Sequence, residues 1–116
     1  MINLKPIVAS ALEANSDAHV FFYYPDSFKE LPAISYYESE NSVAIFADDA
    51  EYLPNIEFTI DIWAIGSAKI SDLAVEVNRA MIEIGFRRRF AADVYDEKSK
   101  MKHKNLRYHY IGGLDE

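Results

Sequence analysis

Three histidines, two close carboxylate pairs and a run of three arginines are the residues of this 116-residue chain whose types could do chemistry. His19, His103 and His109 are scattered. A metal centre built from His103, His109 and a carboxylate such as Asp93 would have a spacing that matches no known ligand pattern. His103 lies in a lysine-rich stretch, where a solvated side chain is expected. Asp48 and Asp49 are adjacent, and Glu38 and Glu40 sit at i and i+2 of a strand-like segment, so both pairs read as solvated surface. No serine stands in a nucleophile-elbow context. Four glycines, at 66, 85, 112 and 113, form neither a phosphate loop nor a dinucleotide fingerprint. There is no cysteine, which excludes disulfides and thiolate metal sites. The sequence therefore predicts no catalytic residue, no metal and no cofactor.

What remains is chemistry of contact. In a strand, Phe86, Arg88 and Phe90 would share one face, and Arg87 and Arg89 the other. An arginine on a core-facing position needs a carboxylate or carbonyls, or must reach out to water. Such a run also suits an acidic neighbour, because guanidinium forks pair well with carboxylates. Lys98, Lys100, Lys102 and Lys104 fall in a polar connection, DEKSKMKHKN, expected to be mobile. Trp63 alternates with isoleucines, so it should lie on the opposite sheet face beside Asp61 and Ile65, either covered or exposed as an interface anchor. The expected protein-contact residues are thus Trp63, Arg87, Arg88, Arg89 and those four lysines.

The elements that must position them can be read from periodicity. Leu4, Ile7, Val8, Ala11 and Leu12 form one helical stripe, with Asn3 as a cap and Pro6 in the first turn. Residues 19–24 read as a short buried strand, Phe28 to Leu31 as a brief helical turn, and AISYYESE after Pro32 as a second strand. Asn41-Ser42 suggests a bend, and residues 42–55 fit either a hairpin arm or a loop. Ile56, Phe58, Ile60, Ile62 and Ala64 alternate with polar residues, the mark of a strand with one buried face. Ile70, Leu73, Val77, Met81 and Ile84 recur at helical spacing, after Ser67 or Ser71 as cap and before Gly85 as a left-handed stop. Residues 86–95 and 106–111 complete a hairpin. The predicted fold is a single α+β domain over residues 1–116. Its order is α-β-β-β-α-β-β, with two helices on one face of a mainly antiparallel sheet.

Composition bounds the function. Half of the residues are hydrophobic and 14% aromatic, which argues against disorder. The net charge of −7 makes nucleic-acid binding unexpected. Residues 1–85 carry 4 basic and 14 acidic side chains, and residues 86–116 carry 8 basic and 5 acidic, so the two ends of the chain can attract one another between copies. The N-terminus does not have the pattern of a signal peptide, and no membrane span is expected. Synthesis in the cytoplasm follows as an expectation.

Four segments resemble phage and prophage head–tail joining proteins, the tail completion, tail terminator and minor capsid group. Pro32, Ile34, Tyr36, Glu38 and Asn41 fit that group's P-x-I-x-Y-x-E-x-x-N strand. Ile60, Asp61, Ile62 and Trp63 fit its V-D-I-W strand, with isoleucine for valine. Met81, Gly85 and Phe86 fit a helix ending M-x-x-x-G-F, and RYHYIG at 107–112 fits the last strand. The resemblance spans about two-thirds of the chain and implies a virion assembly role. It implies self-association, commonly as a hexameric ring, with tail tube or head–tail connector proteins as partners, and carries over no catalytic residue. A different reading is a small bacterial ligand-binding or regulatory module, with Tyr36, Tyr37, Tyr108 and Tyr110 around a pocket.

Overall fold

The structure, a computed structural model, describes residues 2–45 and 52–112. Its elements are α1 (Lys5–Ala14), β1 (His19–Phe22), β2 (Ala33–Ile45), β3 (Tyr52–Trp63), α2 (Ser67–Glu83), β4 (Phe86–Asp96) and β5 (Met101–Tyr110). The strands form one sheet in the order β1-β2-β3-β5-β4. Only the β1–β2 pair is parallel; the other three pairs are antiparallel. This is the α+β fold and element order that periodicity predicts.

Alternation on β3 sets the layering. Ile56, Phe58, Ile60 and Ile62 are fully buried against Leu4, Val8 and Leu12 of α1 and Leu73, Val77 and Met81 of α2. Leu106 and Tyr108 of β5 stand beside them on the same face. Both helices therefore cover one face, as their stripes require. Lys5 N–H donates to Asn3 Oδ1 at 3.2 Å, so Asn3 serves the first turn although Leu4 occupies the cap position. Neither Ser67 nor Ser71 caps α2; Gly66, at φ +92°, is the flanking residue. The stop at Gly85 is as expected: φ is +98°, and a Cβ there would meet Gly112 O at 2.6 Å.

Four expectations change. β1 is a partly exposed edge strand of four residues rather than a buried one. Residues 28–30 make bends, not a helical turn. Asn41-Ser42 does not bend the chain. β2 instead runs on to Ile45, paired through Ile45↔Tyr52 with β3, so the described parts of 42–55 are two paired strands, a hairpin arm; residues 46–51, with Asp48 and Asp49, lie outside the described residues. Pro54 is tolerated inside β3 because β5 pairs only from Glu57 onward, leaving that flank without a partner among the described residues. Finally, β5 begins at Met101, so the hairpin connection is the short turn 97–100.

The sheet is longer than its shared part. At one end the β2–β3 arm passes beyond β5, and at the other the β4–β5 hairpin passes beyond Trp63. The molecule measures 52 × 28 × 21 Å.

Candidate functional site

Two bulges decide which charges share a face. In β2, the register shifts between Glu38 and Glu40, so Glu38 pairs with Phe58 and Glu40 with Glu57. Glu38 and Glu40, which plain alternation would set on one face, are thereby split across the sheet. Asn41 Nδ2 donates to Glu38 (3.0 Å), while Ser42 Oγ (3.0 Å) and Asn55 Nδ2 (2.9 Å) donate to Glu40. Ser39 Oγ donates to Glu57 at 2.9 Å. In β4, the register shifts between Arg88 and Phe90. A bulge places one extra residue on a strand and reverses the alternation beyond it. Phe90 accordingly stands opposite Arg107, whose guanidinium lies 4.6 Å over its ring, and not on the face of Phe86 and Arg88.

β4 is the outer strand of the sheet, and every residue from Arg87 to Ala91 is exposed. Arg87 donates to the carbonyl of Phe86 at 2.8 Å. Arg88 lies over the helical face and contacts Asn78 Oδ1 at 3.4 Å, which also accepts from Tyr108 Oη at 2.9 Å. Burial pushes the Tyr108 hydroxyl up to about 12, against a smaller opposing effect of Arg88. Among the described residues the contacts between basic and acidic side chains are His103–Asp61 and Lys104–Asp93, so no carboxylate lies within ion-pair distance of Arg87, Arg88 or Arg89, and no cation within that distance of Glu38, Glu40 or Glu57.

Trp63 is not an exposed anchor. It lies on the face away from the helices, as predicted, but is 1% exposed. The segment between β1 and β2 folds over it: Tyr24 and Phe28 meet its ring edge-on at 5.6 and 5.0 Å, and His103 stacks on it at 4.0 Å. Its Nε1–H donates to buried Ser35 Oγ at 3.0 Å. His103 is therefore buried rather than solvated, with Nε2 3.0 Å from Asp61 Oδ1, to which Asn105 Nδ2 also donates at 2.8 Å. Tyr24 Oη donates to Asp96 Oδ2 at 2.7 Å and fastens this segment to the end of β4. Burial alone would raise the Asp96 carboxyl, but hydrogen bonds from Ser99 and Tyr24 hold it below its usual value. Burial, then the bond to Asp96, raises the Tyr24 hydroxyl.

The lysines do not form one mobile group. Lys98 and Lys100 belong to the turn, with Lys98 Nζ 4.8 Å above the Tyr24 ring. Lys102 and Lys104 are on β5, and Lys104 Nζ pairs with Asp93 at 3.2 Å. Asp93 and Lys104 sit in one row on the helical side, while His103 is on the other, so His103, His109 and Asp93 do not converge. Among the described residues no group of three or more His, Asp or Glu side chains is placed to hold a metal ion. A cleft of about 790 Å³ lies between the start of α2 and the β4–β5 hairpin, lined by Ser67, Ile70, Ser71, Tyr95, Lys102 and Lys104 among others. None of Tyr36, Tyr37, Tyr108 and Tyr110 lines it. No described helix is long and apolar enough to cross a membrane.

The sequence reading missed the cover over Trp63. Tyr24 and Phe28 flank Pro25-Asp26 in a segment without periodicity, so nothing local marks them as packed.

No protein-family profile matches the chain, and no curated protein matches it. Among solved structures, it is similar to a chain of the virion of a native gene transfer agent particle, at 18% identity and a TM-score of 0.57. The match covers 90% of this chain and 82% of the other, so the fold is shared over most of both chains.

Proposed function

We propose that this chain is a non-enzymatic structural subunit of a phage-like particle. Within that class it is of the tail completion or tail terminator kind: a ring, six-fold by the resemblance, at the head–tail junction or tail end. It contacts itself and a tail tube or connector protein. The observation that carries this reading is the fold shared over 90% of the chain with a chain from a gene transfer agent virion. The resemblance of four sequence segments to head–tail joining proteins supports it separately. So does an exposed strand carrying three arginines on an acidic protein, a surface suited to an acidic neighbour.

The contact surface in this reading is the basic edge, Arg87, Arg88 and Arg89, with Lys98, Lys100 and Lys102 at the hairpin end. Trp63 acts from below, holding the segment that closes over the sheet. Arg87→Glu, Arg88→Glu and Arg89→Glu together should leave the monomer folded, because these side chains are exposed, and should block particle assembly. Normal assembly by a folded triple variant would remove the basic edge from the contact.

A further inference from the structure

We infer that the outer edge of β4 receives the uncovered outer edge of β2, residues 37–45, from a second copy of this chain, so that the sheet continues head to tail between copies. The inference rests on the assembly reading and specifies its contact.

Backbone geometry comes first. The sheet ends in β4 on one side, an 11-residue strand with no partner on its outer flank among the described residues. On the other side β1 covers β2 only from Ala33 to Tyr36, and no described strand lies against β2 beyond that point. Two long rows of unpaired backbone groups thus stand on opposite sides of one molecule, and such edges are templates for pairing. Their senses agree. Three successive antiparallel pairings separate β2 from β4, so the two strands run in opposite directions. A second copy in the same orientation therefore presents an antiparallel partner, as copies arranged around a ring axis do.

Side chains point the same way. The β4 edge carries Arg87, Arg88 and Arg89 without carboxylate partners, and the β2 edge carries Glu38 and Glu40 without cations, among the described residues. Large apolar side chains are exposed beside both edges: Phe90, Val94 and Tyr95 on β4, and Phe22 and Tyr23 where β1 stops covering β2. Two different complementary patches make a heterologous contact, which closes into a ring or propagates as a filament. Charges and a bulge on an edge strand can also serve as a guard against pairing. The two roles separate on Arg87→Glu with Arg89→Glu: a guard survives the change of sign, and a pairing partner does not.

The absence of cysteine makes the test clean. Ala91→Cys on β4 and Tyr37→Cys on β2, neighbours across the seam when Arg87–Arg89 face Glu38–Glu40 in an antiparallel register, are prepared singly and together, checked for folding by circular dichroism, and treated with a short bis-maleimide. The pairing predicts no cross-link in either single variant alone, dimers when the two are mixed, and a ladder ending at a closed ring in the double variant. Arg87→Glu with Arg89→Glu should abolish the cross-link, and adding Glu38→Arg and Glu40→Arg to the same chain should restore it. Self-linking of the β4 variant would mean a two-fold β4–β4 contact and overturn the inference. Rings seen by light scattering without the mixed cross-link would overturn this contact and leave the ring reading standing. A chain that never associates would overturn both.

Discussion

Trp63→Ala should destabilise the isolated monomer severely. The indole is 1% exposed and is packed between His103, Phe28 and Tyr24, so truncation opens a cavity that the rigid sheet beneath cannot close. Large aromatic truncations of this kind cost about 3–5 kcal/mol. The loss of the Nε1–H donor also strands the Ser35 hydroxyl, which is buried to 1% and would carry a desolvation penalty of about 1–3 kcal/mol where water does not reach it. The two are not additive, since a water entering the cavity would serve Ser35, and about 4 kcal/mol is the expected size. Against a total stability of about 5–15 kcal/mol for a small domain, that leaves little. At about 3–6 °C per kcal/mol for a chain of this length, the melting temperature should fall on the order of 10–25 °C. Urea titration followed by far-ultraviolet circular dichroism is the assay, because Trp63 is the only tryptophan and its own fluorescence disappears with it. A loss below about 1 kcal/mol at unchanged m would refute the reasoning, since it would mean that the Tyr24–Phe28 segment does not cover the indole in solution.

Other perturbations follow from the same contacts. Tyr24→Phe should cost about 1 kcal/mol, and a double-mutant cycle with Asp96→Asn should show coupling. Because the Asp96 carboxyl is held below its ordinary 3.8, that coupling should be full above pH 3.8 and fade as pH falls below it. Tyr108, raised from 10.0 to about 12, contributes stability that is present below pH 10 and lost between pH 10 and about 12; alkaline denaturation of Tyr108→Phe should lack that step. Gly85→Ala should cost more than about 2 kcal/mol in thermal unfolding, because a left-handed non-glycine residue carries about 1–2 kcal/mol and its Cβ would also press on Gly112 O.

Where one rule governs an element, the sequence is a good guide to it. The alternation Ile56 to Ala64 and the stripe Ile70 to Ile84 each have a single period, and both elements and the buried faces follow. Gly85 fits because a positive φ next to Gly112 leaves no other residue room. The errors fall where two influences compete. Ser39 and Arg89 look like ordinary strand residues, yet each sits at a bulge that reverses the faces beyond it, which separates Glu38 from Glu40 and Phe90 from Phe86. Residues 96–105 look like one polar connection and His103 looks solvated by composition, but β5 extends through Lys102 and Lys104, and Asp61 and Trp63 hold His103. The cover over Trp63 joins residues 24 and 28 to residues 63 and 96, a long-range contact without a local mark.

That this chain is an assembling subunit is tested most directly by its solution mass, measured by light scattering over a range of protein and salt concentrations. The account predicts a concentration-dependent rise from 13.3 kDa toward a closed species, about 80 kDa for six copies, weakened by salt as a contact between charged edges must be. A strict 13.3 kDa monomer at every concentration and every salt would contradict it.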